Sequence, residues 1–312
     1  MARYHQHTHG FTLIELMISL VLGLLISAAV IQIYLTNVQS TTVQKSGSEL
    51  QEASIFGLQQ LEAHLRLANL GNTETKITDT TPNGGIVLSW DNLGLPSTSS
   101  TTSAMFLPYL THTAGDTAGD KKWESNSNTD INSDQLTIQF TNTTGQTMFD
   151  CESAEVANKQ RVIERYFLRS VTGDNSTGNV KNLALVCDAG RIEGTAVTGL
   201  SADYRTGGSE FIMGVDQFKI LLGVQYANNQ MMYLPSSTYT SLSGTHPPII
   251  AVKIGLIVHG STPIIGSNEI TSFTLLGQSQ NLKNDTTRKK LVRRTYESTT
   301  LLRNARVISV TP

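Results

Sequence analysis

The residues able to do chemistry are few and poorly grouped for catalysis. Of the seven histidines, His5, His7 and His9 precede the first apolar stretch, and His64, His112, His246 and His259 lack the spacing of metal ligands. No GxSxG, HExxH, P-loop or GxGxxG stands in a suitable strand-to-helix setting, and no cysteine is matched with a credible base. The chain is therefore expected to have no catalytic residue, no metal centre and no cofactor. Asp116, Asp120, Asp130 and Asp134 lie in oxygen-rich segments without EF-hand spacing and are expected to be solvated. The densest basic cluster, Arg288, Lys289 and Lys290 with Arg293 and Arg294, reads as a solvated face. As a contact it would favour a protein neighbour over DNA, because no aromatic residues interleave for base stacking.

Two single features remain. Cys151 and Cys187 are the only cysteines, and one disulfide between them is expected if the domain reaches an oxidising compartment. Glu15 is the other. It sits within residues 11–35, which are otherwise almost wholly apolar, and a carboxylate there costs on the order of a few kcal/mol unless it lies near an interface or meets a partner. Glu15 is the fifth residue after Gly10. An amine freed on Phe11 by cleavage at that glycine would be an opposite charge at matching depth, and the two could neutralise each other between neighbouring subunits.

The elements that place these residues emerge from periodicity. As a helix, residues 11–35 would extend about 37 Å, enough to cross a hydrocarbon core of about 30 Å with some tilt. The positive character of the residues before Gly10 is expected to hold that end in the cytoplasm. Leu50, Ser54, Leu58, Leu61, Leu65 and Ala68 then recur at three- and four-residue spacing, so the helix should continue as an amphipathic stretch to about Leu70. Gly47 and Gly57 weaken that pattern, and Asn69, Gly71 and Asn72 supply a stop. Beyond residue 73 short apolar runs alternate with turns. Strands are expected at 85–90, 136–140, 162–169, 183–187, 211–225, 252–258, 270–276 and 301–310, and surface loops at 97–103, 111–129 and 170–181. The fold class is thus α+β: a long N-terminal helix packed on a β-rich, antiparallel C-terminal domain. Only 15% of residues are charged, which suits an exported protein, and a net charge of −2 with pI near 6.4 gives no reason to expect nucleic acid as a partner.

The run Gly10-Phe11-Thr12-Leu13-Ile14-Glu15-Leu16 resembles the class III signal of type IV prepilins and pseudopilins. The resemblance implies cleavage after Gly10 by a prepilin peptidase, N-methylation of Phe11, and an assembly contact at Glu15. It divides the chain into a leader (1–10), a transmembrane and assembly half-helix (11–35), an amphipathic half-helix (36–72) and a periplasmic or extracellular β-rich domain (73–312). Three later segments, 214–224, 250–258 and 291–304, look like PilW-type minor pilins; residues 73–133 match no family. That resemblance implies inner-membrane insertion and then assembly into a pilus with major and other minor pilins, in a priming or tip complex. Motility, adhesion or DNA uptake would depend on that assembly, and a tip adhesin would be a further partner. A J-type pseudopilin of type II secretion and a membrane-anchored adhesin that never assembles are the alternatives.

Overall fold

The computed structural model describes residues 10–95, 107–113, 126–194, 196–201, 206–228, 230–264, 269–302 and 305. A single helix, α1 (Leu13–Leu65), takes up 53 residues. Its N-cap is Thr12, whose Oγ1 accepts a hydrogen bond from the Glu15 amide at 3.3 Å. It ends at Leu65, short of the Leu70 read from the stop signal. The chain then winds through turns in which Asn69 and Gly71 take positive φ. Asn69 is held there because its amide bonds to the Gln139 carbonyl and its side chain to Glu74 and Gly85.

The β domain is built in the order β1 (Leu136–Thr141), β2 (Met148–Phe149), β3 (Glu155–Val156), β4 (Arg161–Ser170), β5 (Leu183–Glu193), β6 (Ala196–Thr198), β7 (Ser209–Met213), β8 (Val215–Gln225) and β9 (Met231–Leu234). A short helix, α2 (Ser236–Thr240), precedes β10 (Ile249–Pro263), β11 (Ser272–Leu275), β12 (Gln278–Asn281) and β13 (Leu291–Leu301). One sheet runs β1-β4-β5-β6, with β7 also on β5; the second runs β13-β10-β8-β9. The pairs within both sheets are antiparallel. The main core gathers α1 and both sheets: Leu50, Leu61 and Leu65 join Ile138 and Leu185 of the first sheet and Phe218 and Ile254 of the second.

Four expectations change in the structure. Residues 85–90 form no strand, although Ile86 bridges Ile138. The Asn92 side chain takes the Leu88 and Ser89 amides and turns the chain away from β1. The run 211–225 splits at Gly214, whose φ is +69° and where a Cβ would lie 2.7 Å from the His259 carbonyl oxygen. The chain thereby leaves the first sheet as β7 and enters the second as β8. The supposed surface loop 111–129 is buried at both described ends, at Thr111, His112 and Thr113 and again at Ser127, Asn128 and Thr129. Asp134, read as solvated, is buried and paired with Lys219 while accepting the Ile220 amide at 2.8 Å. Asp116, Asp120, the 97–103 loop and most of 301–310 lie outside the described residues.

Candidate functional site

Residues 11–35 supply the site. Every one of them is exposed, from Phe11 at 84% to Leu35 at 54%. An apolar surface of this extent on all sides of a helix has no counterpart among the described residues, and burial of such surface is worth roughly 25 cal/mol per Å². It is long enough to cross a membrane.

Glu15 occupies the third position of the helix, and with Thr12 it makes a T-x-x-E capping sequence. Thr12 anchors the Glu15 amide, and a carboxylate in the first turn also complements the helix dipole. The carboxylate is therefore favourably placed before any subunit neighbour is added, a local role beyond the assembly contact expected of it. The signal for that role, a hydroxyl residue three before the acid, is present in the sequence. Gly10 and Phe11 lie just ahead of this cap, outside the helix and exposed.

The second half of the helix is locked to the β domain by apolar packing and by paired polar groups. Glu49 Oε2 accepts from the Ser261 hydroxyl at 2.7 Å, Ser298 donates to Glu62, and His64 Nδ1 lies 3.0 Å from Glu164. Glu164, fully buried, also accepts from the Tyr166 hydroxyl at 2.8 Å and from the Cys151 amide at 3.0 Å. Burial, reinforced by the Glu164 charge, pushes the Tyr166 phenol well above its ordinary range. Cys151 and Cys187 form a disulfide with Cα atoms 6.2 Å apart, tying the turn between β2 and β3 to β5. Their sulfurs lie beside Glu164, but in a disulfide they offer no thiolate to a metal. The remaining histidines have separate duties: His246 sits 2.7 Å from Asp79, and His259 stands near the Gly260 carbonyl. His5, His7 and His9 lie outside the described residues.

The basic cluster is split by its environment. Arg293 is buried and paired with Asp216 and Glu269, and Arg288 joins Glu269 at 2.7 Å. Both are structural. Lys289, Lys290 and Arg294 are exposed.

A family model described as type IV pilus-assembly protein W matches residues 166–304, and the prokaryotic N-terminal methylation motif matches residues 6–31. Together the two matches make the chain similar to type IV pilin-like proteins of the PilW type. The PilW match spans β4 to β13, so it covers most of both sheets, while the methylation motif covers the Gly10 junction and the start of the exposed helix. Among solved structures, a type IV-like pilin from Thermus thermophilus is similar over 83% of this chain and 99% of its own, at 13% identity and a TM-score of 0.39. No curated protein matches the chain.

Proposed function

We propose that this PilW-type chain is a minor pilin that is cut after Gly10, N-methylated at Phe11, and held in the inner membrane by residues 11–35 until it is drawn into a pilus. Its β domain then lies on the periplasmic side, and its role is structural. The observation that carries this reading is one continuous helix with two unlike halves, the first apolar and exposed on every side, the second docked into the core. In the assembled bundle the first half exchanges lipid for the helices of major and other minor pilins. The Glu15 carboxylate is neutralised by the Phe11 amine of a neighbour, which removes the cost of carrying an unpaired charge among apolar helices. The subunit joins a priming or tip complex, and pilus biogenesis, twitching motility, adhesion and DNA uptake depend on it through that assembly.

Mass spectrometry of sheared pili tests the proposal. The chain is expected at low copy with N-methylated Phe11 as its first residue, and Glu15→Gln is expected to leave it in the membrane fraction. Absence of the wild-type chain from both pili and minor-pilin complexes refutes the assembly role. Unimpaired incorporation of E15Q refutes the role of the carboxylate alone.

A further inference from the structure

The end of the β domain from which α1 emerges carries a rim of exposed cations. Gly260 of β10 abuts Ser46 and Ser261 holds Glu49, so the end of β10 lies where the helix leaves the domain. Lys290 sits on the same end, its carbonyl accepting the Ile264 amide at 2.9 Å, and Pro263 pairs with Leu291. A cleft of 730 Å³ opens there, bordered by Glu49, Lys181, Arg288 and Lys289. Lys45 on the helix and Lys289, Lys290 and Arg294 on the domain are exposed, and none has a carboxylate within ion-pairing distance among the described residues. The acids nearby are engaged. Asp285 caps Thr287 and the Val180 amide, Asp174 caps Ser176 and Asn182, and Glu269 is shared by Arg288 and Arg293.

We propose that this rim docks on anionic phospholipid headgroups while the subunit is anchored in the membrane, so that the β domain rests on the bilayer in a fixed orientation before extraction. The inference rests on the anchoring part of the proposed function, not on assembly. The helix sets the distance. Lys45 lies ten residues beyond Leu35, the end of the apolar run, which is about 15 Å of helix. Headgroups occupy roughly 5–8 Å of that on each side of the hydrocarbon core, leaving a gap comparable to the Debye length of about 8 Å at physiological salt. Lysine side chains can close such a gap, and helix tilt shortens it. Juxtamembrane lysines gain from a negative surface only within this range. A neighbouring protein could satisfy the same charges, but before assembly the surface that the helix holds opposite the rim is lipid.

Lysine acetylation read by mass spectrometry tests this on the full chain in nanodiscs, either of neutral phosphatidylcholine or with about 30 mol % phosphatidylglycerol. Lys45, Lys289 and Lys290 should react about threefold or more slowly in the anionic discs, with protection lost at about 0.5 M NaCl. Lys76 and Lys159, exposed beside the opposite end of the helix, should react alike in both. Lys289→Gln with Lys290→Gln should reduce the protection of Lys45. Equal rates in the two lipids, or protection that ignores salt, overturns the proposal. Protection that appears only on adding another pilin assigns the rim to a protein and overturns it too. A chain that does not co-elute with either disc refutes the anchor itself, an outcome distinct from equal rates on anchored protein.

Discussion

His64 shows how one side chain fastens the helix to the sheet. Burial works against its charged form, but the hydrogen bond and charge of Glu164, with Asp150 behind it, outweigh burial and raise its proton affinity above the ordinary value. The folded state therefore binds the His64 proton more tightly than the unfolded chain does. By linkage, that contribution to stability is complete below about pH 6.5 and disappears as pH rises through the raised value. The thermal midpoint should fall across this window, and fall less steeply in His64→Gln. His246, raised by the Leu242 carbonyl and by Asp79, acts with the same sign, so the comparison is between variant and wild type. Identical slopes would mean that His64 is not protonated against Glu164. None of this could be read from the sequence, where His64 and Glu164 stand a hundred residues apart. The T-x-x-E cap at Thr12 and Glu15 could, because both members lie within one turn.

At the scale of elements, two glycines in α1 that look alike in sequence have opposite meanings. Glycine costs a helix interior about 1 kcal/mol relative to alanine. At Gly47 a Cβ would meet nothing within 4 Å, whereas at Gly57 it would collide with Ile212 Cγ1 in the core. Overpacking of that kind costs about 1–3 kcal/mol. Gly47→Ala should therefore raise the urea midpoint of the detergent-solubilised protein, corresponding to about 1 kcal/mol, while Gly57→Ala should lower it or leave it unraised. Equal gains at both positions would show that β7 does not press on the helix. The disulfide is another link between elements. Its 36-residue separation corresponds to about 3–4 kcal/mol in the chain-entropy account. The strand boundaries that periodicity missed, at Gly214 and after Ile86, lie where a tertiary neighbour redirects the backbone.

For the whole molecule, the two halves of α1 make different demands. A chain beginning at residue 36 keeps Leu50, Leu61 and Leu65, and the described residues it loses, 10–35, are all exposed. It should remain folded and stay monomeric without detergent in size-exclusion chromatography, whereas the full chain should need detergent or lipid. Aggregation of the truncated chain would mean that further apolar surface, such as Ile55 and Phe56 at 46% and 67% exposure, also requires a cover.

Local sequence is enough to read the apolar run, the Gly10-Phe11 junction, the out-of-place Glu15, the amphipathic stripe through Leu50, Leu61 and Leu65, and the β-rich character of the C-terminal domain. Each is a local pattern, legible from the period of a helix or strand or from the cost of a charge in an apolar run. Tertiary structure alone decided that Asp134 meets Lys219, that Glu164 gathers His64, Tyr166 and the Cys151 amide, and that Arg293 is structural while Lys289 and Lys290 stay exposed on the rim. Such pairings depend on which distant strands the core brings together, and a buried charge persists only where that packing supplies its partner.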